Sequence, residues 1–453
     1  MTTLETEASI IEDRPRGVSR FWLILLAVFG LMGARLAGAG FGFLSQLMLA
    51  RTFSAADVGI AFLAMSITTF GCLVITSGYH ALAQTYLSRY RTFGRLTLVA
   101  AFLRMARRDM VRAAAVVLAA SILLYFFAPV SPGIAKAILF GGIAALPLAA
   151  IRLNNGSALS QRRFALSYVP DLVGRPALLV VFIAAMVLLG NRNVDVLLIA
   201  LVGITIIVAV AQAWLLGPDN AWARLPAKVS RDLSRYMRYR AVSTLIIMVV
   251  TTTTADLVVM LGGALLPPDE VALLGITVRL AALIGFFSAA SQPFIVRDLA
   301  TAMAQSATAE VNSLLLRVNL VGLSIMAGAV IFCALFGHFI LSLYGEHYVG
   351  GYWPLLLFLV GQGFRTAGGT NIGLLQLGGH QLKSARLCVA AVVLLVVLAV
   401  VLVRPFGLMG VAFASVCAEA FWFVGLAYLT QKLEGRRGDI VGLLMSRNRI
   451  TGA

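Results

Sequence analysis

Five ionisable side chains stand inside long apolar stretches of this sequence. Three are cations, Arg35, Arg279 and Arg365, and two are anions, Asp256 and Glu419. An ionisable group at the centre of a bilayer costs about 3 kcal/mol even on insertion scales, so each one requires a counter-charge or a water-filled cavity. The chemistry they offer is therefore charge pairing and ligand binding inside a membrane.

The positions of these charges allow two ion pairs. Asp256 and Arg279 lie at similar distances from the turn between their two segments, and Arg365 and Glu419 lie at similar depths. Each pair either locks helices together or acts in coupling or gating. Arg35 lies about fifteen residues into its segment, hence near the midplane. It either lines a cavity or is neutralised by backbone carbonyls or by an acid placed elsewhere.

Two further features accompany the charges. His80 lies near the end of the second apolar segment, where it either carries protons or is simply hydrogen-bonded. The segment around Arg35 is rich in glycine, which indicates either close helix packing or a helix that bends. These glycines are Gly30, Gly33, Gly38, Gly40 and Gly42.

The elements that must position these residues are membrane-spanning helices. Of 453 residues, 60% are hydrophobic and 12% charged, and the mean hydropathy is +0.94. Since a hydrocarbon core needs about 20 apolar residues per helix, we predict an all-α polytopic membrane protein with about twelve spans. The predicted spans are 21–50, 58–83, 111–130, 133–151, 167–190, 194–216, 241–265, 271–296, 314–337, 351–376, 387–403 and 407–431.

The basic residues predict the orientation. Of the 36 Lys and Arg residues, 29 fall at one side of this topology, including those from Arg152 to Arg175, which we assign to a loop, and three fall within spans. The other side receives Arg51, Lys136, Arg192 and Arg404. We therefore predict a multi-pass protein of the bacterial inner membrane with both termini in the cytoplasm.

A basic segment in the middle of the chain divides the spans into six and six. The predicted organisation is a cytoplasmic tail 1–20, an N-lobe 21–217, a linker 218–240, a C-lobe 241–431 and a C-terminal tail 432–453. Similar turns, Ser54 to Ala61 and Pro267 to Thr277, precede the second span of each half. We interpret them as a parallel repeat, with a central cavity between two six-helix lobes.

Several classes of function lack their motifs. The sequence contains no phosphate-binding P-loop, Rossmann glycine fingerprint or HExxH, and its four cysteines are scattered singly. We therefore expect no cofactor, no metal and no catalytic residue, and an enzyme such as a polysaccharide polymerase is disfavoured. The net charge of +17 is explained by orientation and by anionic lipids rather than by nucleic acid.

Four segments resemble the polysaccharide-exporter branch of the multidrug/oligosaccharidyl-lipid/polysaccharide (MOP) transporter superfamily. They are LMLARTFSAADVGIAFLAMS, ADLVVMLGGALLPPDEVALLGITVRLA, LSLYGEHYVGGYWPLLLFLVGQGF and RPFGLMGVAFA. The resemblance covers nearly the whole chain through the order and spacing of these segments. It implies twelve helices in two lobes around a cavity that flippase members often line with cations.

The resemblance also implies a function. A flippase of this branch carries a polyprenyl-pyrophosphate-linked oligosaccharide across the membrane by alternating access, for O-antigen, exopolysaccharide or capsule synthesis. Arg35, Arg279 and Arg365 would hold the pyrophosphate, with Asp256, Glu419 and His80 in coupling or gating. Its partners would be the lipid-linked oligosaccharide, membrane lipids, a polysaccharide polymerase and glycosyltransferases. The alternative is a cation-coupled multidrug exporter.

Overall fold

The computed structural model describes residues 20–217, 231–289, 308–435, 437–440 and 442. All regular secondary structure within these ranges is helical. The predicted tail 1–20, except for Arg20, and the first part of the predicted linker lie outside the described residues. Seven helices form the first half: α1 Arg20–Thr52, α2 Ala55–Thr76, α3 Tyr79–Thr92, α4 Leu96–Phe127, α5 Pro132–Ser160, α6 Phe164–Leu188 and α7 Val194–Leu216.

In the described ranges, six helices form the second half. Residues 231–240, predicted as linker, already belong to the first helix of this half. The helices are α8 Arg231–Thr252, α9 Thr254–Leu265, α10 Pro268–Ala289, α11 Thr308–Tyr344, α12 Tyr352–Leu377 and α13 Gln381–Glu434. The last of these holds two predicted spans, since the backbone at Gly407 leaves the helical region with φ 52° and ψ −131°.

By length and composition alone, seven of the described helices can cross a membrane, or eight if α8 and α9 form one bent span. Each of the twelve predicted spans nevertheless overlaps a described helix: α13 covers two, and α1, α10 and α12 cover the three that are not among the seven or eight. These three carry Arg35, Arg279 and Arg365, so their charges accompany a weaker apolar signal. Residues 290–296 of the predicted span 271–296 lie outside the described residues. The fold class predicted from the sequence is confirmed.

A run of four threonines at 251–254 breaks the seventh span. Each hydroxyl donates to the carbonyl four residues earlier, for example Thr252 to Met248 at 2.7 Å and Thr254 to Val250 at 2.6 Å. Such hydrogen bonds draw carbonyls away from the helix ladder and bend helices. The two parts, α8 and α9, meet at 75°. The break opens the middle of the C-lobe, where polar backbone groups become available.

The equivalent second helices of the two lobes, α2 and α10, pack against each other. Gly59 allows this approach, because a side chain there would collide with the backbone of Pro268. Around this contact, Val58 and Phe62 belong to one buried apolar cluster with Leu274 and other α10 side chains. Pairing of equivalent helices is the arrangement expected of a parallel repeat, and it closes the space between the lobes at one end.

We call this closed end the hairpin end, because the turns at 53–54, 266–267 and 345–351 lie there. It is reinforced by Arg51, which donates to the carbonyls of Leu343 at 2.6 Å and Ser342 at 3.0 Å. The opposite end, with the turns at 93–95 and 161–163, is the basic end. There Arg238 of α8 binds Asp109 of α4 through two hydrogen bonds of 2.8 and 3.0 Å.

Part of the predicted C-terminal tail is inserted into the C-lobe at the basic end. The Gly438 carbonyl accepts from Asn319 at 2.6 Å and from Thr370 at 3.1 Å, and the Gly438 amide donates to Asn371 at 2.8 Å. The side chain of Asp439 is fully buried. Residues 437–440 thus join α11 to α12 rather than extending into solvent.

We expect the Asn371→Ala variant to release this segment. Loss of its side chain leaves the buried Gly438 amide without an acceptor, at a cost of about 1 to 3 kcal/mol. Hydrogen exchange at residues 438–440 should therefore accelerate by roughly 5- to 150-fold. The matched control is Asn191→Ala, at the hairpin end, which should leave exchange here unchanged. Equal protection in both variants would contradict the inserted position.

Candidate functional site

A cavity of about 530 Å³ lies between the two lobes. It is lined by α1, α2, α5, α6 and α7 from the N-lobe and by α8, α9, α10 and the end of α11 from the C-lobe. Among the described residues, four guanidinium groups and two carboxylates line it, giving a net charge of +2. They belong to Arg35, Arg152, Arg175, Arg279, Asp171 and Asp256.

Asp171 organises the N-lobe part of this cavity. It lies in a π-turn, Pro170–Gly174, that widens α6 by one residue, a feature often found at functional sites. Arg152 approaches one carboxylate oxygen at 3.1 Å and Arg175 the other at 3.0 Å. Since one carboxylate neutralises two guanidinium groups only in part, this cluster keeps an excess positive charge facing the cavity.

Arg279 and Asp256 line the C-lobe part of the cavity, as their spacing predicted, but they do not form a direct ion pair. Arg279 donates to the hydroxyl of Ser66 at 3.2 Å, and Ser66 also lies close to the carboxylate of Asp256. Arg279 also donates to the carbonyl of Phe62 at 3.3 Å and stacks 4.6 Å from the centre of its ring. It therefore joins α10 to α2 while facing the cavity.

Arg35 lines the same cavity from α1 and is half-buried. This placement agrees with the interpretation of a cavity-lining arginine. The glycines of α1 divide by position: Gly38 packs so closely against the backbone of Leu172 that no side chain would fit, whereas Gly33, Gly40 and Gly42 face open space. The helix runs without a break from Arg20 to Thr52. The surroundings of Gly30 are not among those that the structure describes.

Arg365 lines a different cavity, of about 380 Å³, within the C-lobe. Its guanidinium forms a short ion pair with Glu419 and donates to the carbonyl of Thr251 at 3.2 Å. That carbonyl ends α8 at the break, so the cation stabilises the negative end of a helix. The predicted pair of Arg365 and Glu419 thus exists. The two cavities meet at Thr252, which lines both.

His80 lies beside the central cavity rather than in its lining. It follows the kink at Ser77 and Gly78, where both residues have positive φ, and its side chain is buried. Its Nδ1 atom has no hydrogen-bond partner among the described residues.

Sequence reasoning missed Arg152, Asp171 and Arg175 as cavity residues. The count of basic residues places Arg152 and Arg175 at a loop of the basic end, although Arg175 also falls within the predicted fifth span; the structure places both, with Asp171, inside α5 and α6. A signal was present, because an acid and a base four residues apart, Asp171 and Arg175, stand inside the predicted fifth span between Pro170 and Pro176.

No family model matches this chain, and no curated protein matches it. Several solved structures, however, match this chain. An inward-facing multidrug resistance MATE family transporter of the MOP superfamily matches with a TM-score of 0.72 at 13% identity, over 88% of this chain and 95% of that one. The lipid II flippase MurJ in an inward closed conformation gives 0.66 at 14% identity, over 89% and 87%. The outward-facing form of a MATE family transporter gives 0.50 at 15% identity, over 94% and 96%. The chain therefore has the fold of MOP superfamily transporters.

Proposed function

We propose that this protein is a flippase that moves a polyprenyl-pyrophosphate-linked oligosaccharide across the bacterial inner membrane for surface polysaccharide synthesis. The observation that carries the proposal is the net charge of +2 in the cavity between the lobes. A pyrophosphate head group is a dianion or more, and guanidinium groups match phosphate by charge and by forked hydrogen bonds. Arg35, Arg152, Arg175 and Arg279 form the head-group site.

Alternating access between the lobes moves the head group. The apolar contact of α2 with α10 closes the hairpin end, and the Asp109 to Arg238 contact spans the lobes at the basic end. We place the basic end in the cytoplasm, as the positive-inside rule predicts. Movement of an anion outward from a negative interior is favoured by about 2.3 kcal/mol per charge per 100 mV, so the membrane potential itself assists transport.

The second cavity would supply coupling. Arg365 lines this cavity beside the break between α8 and α9, and its ion-pair partner Glu419 lies just outside the lining. Thr252 connects the cavity to the head-group site. Proton or cation binding at Glu419 would compete with Arg365 for the carboxylate and release the carbonyl of Thr251. Asp256 and His80, next to the arginine cluster, are further candidates for coupling.

A cation-coupled multidrug exporter is the second candidate, and the likeness to MATE transporters favours it. A cavity for cationic drugs needs carboxylates that face the ligand. Here Asp171 already binds two arginines, and Asp256 lies beside Ser66 and within the field of the Arg279 guanidinium. The flippase therefore fits the cavity charge better.

The test is leaflet transfer of a fluorescent polyprenyl-pyrophosphate oligosaccharide in proteoliposomes. We expect the Arg35→Ala variant to transfer it about 10- to 100-fold more slowly, since a hydrogen bond to a charged group contributes about 1.5 to 3 kcal/mol. The matched control is Arg386→Ala, an exposed arginine outside both cavities. If inserted wild-type protein moves no lipid with or without an ion gradient or potential, and protects cells from cationic drugs, the exporter replaces the flippase.

A further inference from the structure

A second concave surface lies at the basic end, away from the central cavity. Its volume is about 450 Å³, and it shares no lining residue with the central cavity. We call it the basic pocket. Its walls come from the end of α3, the start of α4 and the first turns of α8, so both lobes contribute to it.

Three guanidinium groups line the basic pocket. Arg89 and Arg95 come from the N-lobe and Arg240 from the C-lobe, and no carboxylate lines it among the described residues. Arg240 binds neutral partners, the hydroxyl of Tyr236 at 3.1 Å and the amide oxygen of Gln381 at 3.4 Å. Asp109, in the contact between the lobes, is already bound by Arg238 and Tyr79. Within the part of the chain that the structure describes, the pocket thus holds three positive charges and no carboxylate in its lining.

Tyrosines complete the walls and fix the shape of the pocket. The side chains of Tyr86 and Tyr236 meet in the pocket from the two lobes, and Tyr90 lies 6.0 Å from Tyr86 between ring centres. Arg240 stacks on Tyr236, 5.5 Å from the ring centre. Isolated arginines near helix ends serve to orient a membrane protein. Here, however, guanidinium and phenol groups from two lobes converge on one concave space.

From this arrangement we propose that the basic pocket binds a phosphate or pyrophosphate group, carried by an anionic lipid head group or by a free phosphate ester. Guanidinium groups provide paired donors for phosphate oxygens, and the tyrosine hydroxyls add neutral donors. Because the lining residues come from both lobes, the anion joins α3 and α4 to α8 and neutralises the repulsion between Arg89, Arg95 and Arg240. The pocket is a second anion site, on the basic end, separate from the cavity that carries the cargo.

The test uses a fluorophore beside the pocket, so that the cavity does not contribute to the signal. The label is placed at Leu96→Cys, an exposed position, in full-length protein carrying Cys417→Ser. The other three native cysteines are buried. The protein is embedded in phosphatidylcholine nanodiscs and titrated with inorganic pyrophosphate. We expect a saturable signal whose half-saturating concentration rises at least tenfold in the Arg89→Gln/Arg95→Gln variant.

The matched control is Lys383→Gln/Arg386→Gln, which removes two exposed charges outside the basic pocket and should shift the titration less than twofold. Repeating the titration in phosphatidylglycerol nanodiscs identifies the source of the phosphate. If wild type binds pyrophosphate more weakly in phosphatidylglycerol than in phosphatidylcholine, and this difference disappears in the Arg89→Gln/Arg95→Gln variant, the pocket is assigned to a bilayer lipid. If wild type binds equally in both, the pocket is assigned to a free or terminal phosphate. Absence of a saturable signal in wild type, or equal shifts in pocket and control variants, overturns the proposal. Neither result bears on lipid transfer, which tests the central cavity.

Discussion

The Arg365→Gln variant is expected to lose about 3 to 5 kcal/mol of unfolding free energy, because it leaves the Glu419 carboxylate buried without its cation. The side chain of Glu419 is 6% exposed and that of Arg365 20% exposed, so water replaces little of the lost attraction. The carbonyl of Thr251 loses its donor as well. Both losses occur at the break between α8 and α9, where the backbone has fewest internal hydrogen bonds.

A double-mutant cycle separates the ion pair from the packing of its members. In the Arg365→Gln/Glu419→Gln variant neither member of the pair carries a charge, and the two amides can bond to each other. We expect it to recover most of the lost stability, since replacing both partners of a buried pair is often nearly neutral. The measurement is unfolding in mixed micelles with increasing sodium dodecyl sulfate.

The control for this cycle is Arg404→Gln, an exposed arginine in the turn of α13, which should change the free energy of unfolding by less than about 0.5 kcal/mol. An equal loss in Arg365→Gln and Arg404→Gln would contradict the pairing. Lipid transfer by the stable double variant then decides the role of the pair. Normal transfer means that the pair only locks α12 to α13, and a folded but inactive protein means that it acts in coupling.

The positions of most helical spans could be predicted from the sequence because the bilayer imposes a length. A span of about 20 apolar residues is visible whatever it packs against. The break inside α13 was visible for the same kind of reason, since Pro405 and Gly407 interrupt an apolar run at the expected spacing. The threonine run at 251–254 is also plain in the sequence, but its effect depends on four hydroxyls bonding to the helix backbone rather than to neighbours.

The membership of the cavity could be predicted only in part. Arg35 and Arg279 stand deep in apolar runs, and their conspicuous positions revealed them. Arg152 follows its apolar run by one residue, and a reading based on hydropathy assigns such a residue to a loop. Only the packing of α5 beside the π-turn of α6 brings it to Asp171. Arg365 is the opposite case. It stands deep in its apolar run, as predicted, but it lines the second cavity rather than the central one.

Contacts that depend on small polar residues were beyond sequence reasoning. Ser66, placed between Arg279 and Asp256, resembles any other serine in an apolar helix. Gly438 and Asp439 resemble a solvated tail, and their burial depends on acceptors and donors from α11 and α12, more than sixty residues away in sequence. In each case a partner distant in the chain changes the cost of burying a polar group.

The Arg35→Gln/Arg279→Gln variant is expected to bind the pyrophosphate head group between about 10² and 10⁴ times more weakly than wild type. It removes two of the four guanidinium groups and brings the cavity from a net charge of +2 to neutrality. Each hydrogen bond to a charged group contributes about 1.5 to 3 kcal/mol, and two of them correspond to this range of affinity. Glutamine keeps a donor for the Phe62 carbonyl, so that the contact of α10 with α2 is retained.

The opposite change provides the control. Asp256→Asn raises the net charge of the cavity to +3 and keeps the size of the side chain beside Ser66, so head-group binding should be unchanged or tighter. The measurement is displacement of a fluorescent polyprenyl-pyrophosphate oligosaccharide from protein in nanodiscs by the unlabelled lipid. If the double arginine variant binds as wild type does, or if Asp256→Asn weakens binding as much as the loss of both arginines, the cavity charge does not select the head group. Binding of a cationic drug that strengthens as the arginines are removed would then identify the carboxylates as the ligand-binding groups and favour the exporter.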